Sequence, residues 1–289
     1  MMITLGEDFP YLECHSDETI YLFIDGGQVN DIAKTLYQIP GELDLEPIYM
    51  LPPFEELKDV SPYVIKATQD VQDWFKSTNE VTAGFFFSTT FLLDEVCDYY
   101  RQFIRVISPY RSKVFLKMAH SEVAWTLLSK AEHPFWGPIS HAWIPTRMGW
   151  KELVRDKYTM LPNINEFTER YVISDGIWDS FAEISWRNTM ENLERHVRKW
   201  FPHLLTENND FNDWLNLWAK SAYRKGFTTE RDLFYFFNVI GLVGDIDSLP
   251  NKYPDIDALI HQASELTPSQ RIEQAAKLAY QYSKEQRQG

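Results

Sequence analysis

The hydrophobic period of this 289-residue chain changes once, and that change limits what the chain can fold into. From Thr19 to about Pro145, short apolar runs rich in β-branched and aromatic residues lie at residues 20–24, 48–51, 63–67, 84–87, 114–118 and 139–144. Between them, apolar residues recur every three or four positions. Such alternation predicts an α/β lobe of interleaved strands and helices. Beyond residue 173 only the helical period remains, so an all-α lobe is expected to follow. The expected division is residues 1–145 for the α/β lobe, 146–173 for a connection interrupted by Pro145, Gly149 and Pro162, and 174–289 for the helical lobe. A chain of this size has passed the point where one core is usual.

Individual elements follow from the same periods. Val29, Ile32, Ala33 and Leu36 share one helical face after the first strand, with Gly26 and Gly27 supplying the turn between them. Residues 92–107 read as one helix, with Leu92, Val96, Tyr99, Tyr100, Phe103 and Ile107 in its stripe and Pro109 beyond its end. Ile177, Phe181, Ile184, Met190, Leu193, Val197 and Trp200 predict a helix of about 25 residues, roughly 37 Å long, stopping near Pro202. A helix near residues 210–225 ends at Gly226, and Thr229 with Asp232 forms a capping-box variant that starts the next. Thr267 and Pro268 open the last helix, whose sparse apolar set of Ile272, Ala275, Ala276, Ala279 and Tyr280 predicts a surface position.

Charge and cysteine content narrow the function. The formal charge is −14, and residues 1–80 hold 16 acidic against 4 basic side chains, a local −12. Phosphate backbones and anionic membranes are recognised by clustered lysine and arginine, so neither nucleic acid nor membrane insertion is expected. The acidity serves solubility or meets a basic protein partner. Cys14 and Cys97 are too few for a disulfide framework and lack zinc-site spacing. The acidic N-terminus lacks the features of a signal peptide, and a cytoplasmic location is expected. Seven scattered histidines form no compact ligand set, so no metal or cofactor is expected.

The one enzyme-like feature is Asp25, which ends an apolar strand beside Gly26 and Gly27. Two readings of it stand: the carboxylate of a hydrolase or phosphotransferase, or a side chain that accepts backbone hydrogen bonds and caps the following helix. The loop lacks glycine-rich phosphate-binding spacing, and no Gly-x-Ser-x-Gly elbow presents a nucleophile. Ten tryptophans and fifteen tyrosines serve cores and contact surfaces alike. Asp25, Trp136, His141, Trp143, Trp150 and Trp178 are the candidates for partner contact, with Trp143 and Trp150 flanking the expected connection.

A series of short segments carries a family resemblance. An apolar strand runs into Asp-Gly over residues 21–26, followed by Leu36-Tyr37 and the apolar residues 47–51. Ser61-Pro62-Tyr63-Val64, Gly84 with three phenylalanines, and Tyr99, Arg101 and Phe103 come next; Trp136-Gly137-Pro138-Ile139 with Trp143 closes the series. In order and content these residues resemble the effector adaptor, or chaperone, family of bacterial type VI secretion systems over residues 19–145. Residues 222–233, Ala-Tyr-Arg-Lys-Gly-Phe-Thr-Thr-Glu-Arg-Asp-Leu, look like a recurring element of the second lobe of such adaptors. The chain departs from the family at residues 114–121, which lack the arginine-rich, Asp-Pro-containing segment often found there. The resemblance implies a non-catalytic protein that binds a cognate toxic effector and helps load it onto a spike protein of the valine-glycine-repeat type. An immunity protein that neutralises a toxin is the remaining alternative.

Overall fold

In the computed structural model, residues 5–6, 8–130, 133–156, 171–207, 210–244 and 246–288 are described, and the chain divides into two units, Met1–Ile184 and Ser185–Gly289. The expected connection at 146–173 falls partly outside these residues, Lys157 and Pro162 included. Strands β1 (Thr19–Ile24), β2 (Leu45–Pro47), β3 (Tyr63–Lys66), β4 (Gly84–Thr89), β7 (His141–Thr146) and β8 (Gly149–Val154) form one sheet in the order β2-β3-β1-β4-β7-β8. All its neighbours pair antiparallel, with Leu22 opposite Ile65 on one side and Phe86 on the other. β3 and β4 therefore run the same way on either side of β1, and helix α2 (Gln69–Thr78) links them in a split crossover.

Because successive side chains of a strand alternate in direction, the sheet feeds two cores. Tyr21, Phe23, Phe85 and Phe87 face α3 (Leu93–Arg101) and α4 (Ser121–Leu128), where Phe23 meets Tyr100 at a ring separation of 5.1 Å. Leu22, Ile24, Phe86 and Trp143 face α1 (Ile32–Leu36) and α2, with Phe75 edge-on to Phe86 at 5.3 Å. A second sheet pairs β5 (Arg105–Ile107) with β6 (Lys113–Phe115). The N-terminal unit is thus an α/β assembly, and the rest of the chain is all-α.

Several expectations at element level are corrected. Residues 48–51 form a turn, and the strand lies three residues earlier at β2; Pro52 and Pro53 cannot donate to a ladder, and the Tyr49 amide instead donates to Ser61 Oγ at 2.9 Å. The helix expected over residues 92–107 stops at Arg101. Val106 and Ile107 pair with Val114 and Lys113, and a short apolar run of that kind carries no period that distinguishes strand from helix. β8 was not expected at all.

In the second unit, the C-terminal part of α5 (Asp175–Trp200) contributes Leu193 and Val197 to a core shared with α7 (Phe211–Arg224) and α8 (Glu230–Val243). The helix ends as expected, but Trp200 is 60% exposed rather than part of the buried stripe. Gly226 takes the left-handed φ of 92° that the expected stop needs, and Thr229 and Asp232 form the reciprocal cap, with N···O distances of 3.1 and 3.2 Å. Helix α11 (Pro268–Gln288) is not the surface element expected. Its Ile272, Ala275 and Ala279 are fully buried with Leu233, Phe236 and Phe237 of α8, because alanines permit a close helix approach without large apolar side chains.

The motifs of the N-terminal unit touch one another. A Cβ on Gly26 would lie 2.2 Å from the carbonyl oxygen of Ser61, so the Asp-Gly turn and the Ser-Pro-Tyr segment require each other's shape. A Cβ on Gly137 would lie 2.1 Å from the ring of Tyr99, whose hydroxyl donates to the Pro134 carbonyl. Gly26→Ala is expected to destabilise the protein by about 2 kcal/mol, since its backbone neighbour cannot swing aside. Gly176→Ala, which meets nothing within 4 Å near the start of α5, is expected to stabilise it slightly, by about 0.5 kcal/mol. Urea denaturation of both variants measures the contrast.

Candidate protein-interaction surface

At the tip of β1 the Asp25 amide donates to the Ala83 carbonyl at 2.6 Å, which seats the carboxylate, 8% exposed, above the start of β4. Its Oδ1 accepts from the Gly27 amide at 2.9 Å and its Oδ2 from the Gln28 side chain at 3.2 Å. Gln28 is fixed in turn by Thr82, giving to its carbonyl at 3.0 Å and accepting from its hydroxyl at 2.8 Å. The side chain therefore ties two turns together. It does not cap α1, which starts at Ile32 after Asp31 without any side-chain cap. Asp25 also borders a cavity of about 220 Å³ whose walls include Tyr49, Leu57, Val60 and Phe115. Burial, with the nearby Asp25 charge, pushes the Tyr49 phenol up to about 12. Among the described residues no group of three or more histidine, cysteine, aspartate or glutamate side chains is placed to hold a metal ion.

The other partner-contact candidates do not gather into one site. Trp136 (2% exposed) and Trp143 (1% exposed) lie in different cores, on opposite faces of the sheet. The His141 ring lies 3.9 Å from that of Trp143, with Nε2 2.8 Å from Glu152. Half-buried Trp150 packs near Trp143's side of the sheet, stacked on Phe86 and edge-on to Phe9. Trp178 meets exposed Tyr110 edge-on at 6.4 Å. Cys97 is buried, and desolvation drives its thiol far above the ordinary value.

A concavity of about 470 Å³ lies beside the edge strand β2. Leu36 and Ile39 are buried in it, Leu43, Leu45 and Tyr63 line it, and Tyr37 stands beside it 91% exposed. Sequence reasoning had no site here. The signal was present in Tyr37, an aromatic directly after the last residue of the α1 stripe, where a helix face turned to water normally carries a polar group.

Close to Trp136, His133 Nδ1 accepts from the Phe135 amide at 3.0 Å, so the neutral ring carries its proton on Nε2, 2.6 Å from the Tyr171 hydroxyl. Burial lowers its pKa from 6.5 to about 4.

The described residues thus combine an antiparallel sheet, a helical second unit and exposed acidic and apolar side chains. A family model described as a domain of unknown function, DUF4123, matches residues 20–136. The chain is similar to the accessory protein VasW of Vibrio cholerae serotype O1 (strain ATCC 39315 / El Tor Inaba N16961), 46% identical over 275 residues that cover 95% of this chain and 92% of the relative. It belongs to this DUF4123, VasW-like family of type VI secretion accessory proteins. No solved structure matches it.

Between about pH 4 and 6.5 the unfolded chain protonates His133 while the folded chain does not, so this residue makes stability rise with pH across that window and fall as acid is added. The full effect is about 3 kcal/mol. Following the His133 ring by NMR is expected to show it neutral until the pH drops to about 4. Titration near 6.5 would contradict the buried, neutral ring.

Proposed function

We propose that the chain is a non-catalytic adaptor that binds one cognate toxic effector of a type VI secretion system in the cytoplasm and assists its loading onto the valine-glycine-repeat spike. The observation that carries this reading is the likeness to an accessory protein over nearly the whole chain, not merely over the N-terminal unit. The geometry is consistent with it. The short segments that mark the family lock backbone against backbone, as in a frame, and the one strand-end carboxylate is used to hold turns. We further assign residues 1–145 and 174–289 as its two working parts, with 146–173 between them. Asp25, Trp136, His141, Trp143, Trp150 and Trp178 remain the first positions to probe for partner contact. Among the described residues no helix is long and apolar enough to cross a membrane.

Co-expression with the toxin encoded beside it, followed by affinity purification, is expected to recover a soluble complex of the two. A folded chain that neither binds nor solubilises that toxin refutes the adaptor role. Deleting the gene is expected to abolish delivery of the toxin while leaving the cell protected; a deletion strain killed by its siblings identifies an immunity protein instead.

A further inference from the structure

We propose that the groove between α1 and the outer edge of β2 receives an extended, apolar and positively charged segment of the effector, an inference that rests on the adaptor reading above. On either side of β2 the Asp44 carbonyl accepts from the Lys66 amide and the Ile48 amide donates to the Pro62 carbonyl, while within it Glu46 stands opposite Val64. Even-numbered residues thus bond inward to β3. The backbone of Leu45 faces the other way, since the two edges of a strand alternate residue by residue. An extended segment laid along this edge finds a donor and an acceptor on Leu45, and an apolar recess for the side chain it turns toward the sheet. The cavity, at about 470 Å³, accommodates a few side chains rather than a whole helix.

The rest of the edge is closed. Pro47 has no amide hydrogen, and its carbonyl accepts from Arg101 Nη2 at 3.2 Å; the same guanidinium pairs with Glu46 at 2.5 Å. The occupant is therefore short and its register fixed at Leu45. Tyr37 supplies an anchor: a large amphipathic ring, 91% exposed, costs little entropy to immobilise and gains much area when covered. Charge selects the sign of the occupant. Residues 31–47 carry Asp31, Glu42, Asp44 and Glu46 against Lys34 alone, and Asp31, Glu42 and Asp44 are exposed. An acidic rim around an apolar recess favours a segment in which lysine or arginine alternates with apolar residues.

The test uses the full chain, wild type and two variants, Tyr37→Ala and the double substitution Glu42→Lys with Asp44→Lys. All these side chains are exposed, so melting temperatures close to wild type are expected. Each protein is assayed for capture of the co-expressed effector, for capture of the spike protein, and for binding of a synthetic peptide of about ten alternating valines and lysines, roughly 33 Å when extended. Wild type is expected to bind effector and peptide, with amide shifts at Leu43 and Leu45. Both variants are expected to lose at least about tenfold in affinity for each, and peptide binding to weaken with salt. A peptide with glutamate in place of lysine that binds equally well overturns the charge selection. Variants that capture the effector like wild type overturn the groove and leave the adaptor reading standing, and variants that lose the spike but keep the effector overturn the choice of occupant. A wild-type chain that captures no effector removes the adaptor reading itself.

Discussion

The contact on which the N-terminal unit depends is the approach of the Ser61 carbonyl to Gly26, at a distance that leaves no room for any side chain on residue 26. It fixes the tip of β1 against the loop between β2 and β3. Around it, Ser61 Oγ accepts from the Tyr49 amide and donates to the Pro62 carbonyl, so the fully buried hydroxyl is satisfied twice without water. The same loop delivers Ile48 and Tyr49 to the core beneath α3 and leaves Leu57 and Val60 outside. A small polar residue, a glycine and a proline thus share one job: they let two backbones meet. Gly137 makes room in the same way for a side chain, the ring of Tyr99, and Arg155 donates to the Gly137 carbonyl at 2.6 Å.

Such a frame treats ionisable groups differently from an active site. Catalysis needs acids and bases poised near the working pH, commonly by a neighbouring charge or hydrogen bond that offsets burial. Here burial is the leading cause at Cys97, Tyr99 and Tyr100, whose acids are pushed upward, and at His133, whose base is pushed downward. Every one of these groups is held neutral and serves packing: Tyr99 and Tyr100 donate to the carbonyls of Pro134 and Phe135, and His133 accepts from an amide. The buried charges are likewise structural. Glu122 pairs with Arg147 at 2.6 Å and accepts from its amide, which pins the β7–β8 turn to α4. The polar interior specifies one arrangement of backbone.

Much of this was legible in the chain. Strands β1, β3 and β4, helices α5, α7 and α8, and the stop at Gly226 follow from period, capping and turn chemistry, because in each the local signal and the tertiary demand coincide. The misses share a cause. Ile48, Tyr49, Phe103, Ile104 and Val106 are apolar because the core needs them there, and burial alone carries no period. α11 was misplaced because alanine contributes little hydrophobicity to a sequence pattern yet can be fully buried where two helices come close. Composition alone does not sort aromatics between core and surface: Trp136 and Trp143 are large and apolar and lie inward, while Tyr37, 91% exposed, is marked only by its place directly after the α1 stripe. Exposure is decided by the neighbours a residue acquires in the fold, and in Tyr37's case those neighbours leave it uncovered.

An adaptor with an open sheet edge faces a conflict between holding a client and pairing with its own copies. A three-residue strand with a proline at its end and an arginine over its last carbonyl offers too little ladder for two identical edges to zip together. The charge acts in the same direction. A rim of Asp31, Glu42 and Asp44 repels an identical rim, as does a whole chain with a formal charge of −14. A basic segment meets the opposite field at the same place, so one set of carboxylates disfavours self-association and favours a client of complementary sign. The uneven charge of the first 80 residues then has a consequence beyond solubility: along the β2 edge it favours an occupant that brings its own positive charge.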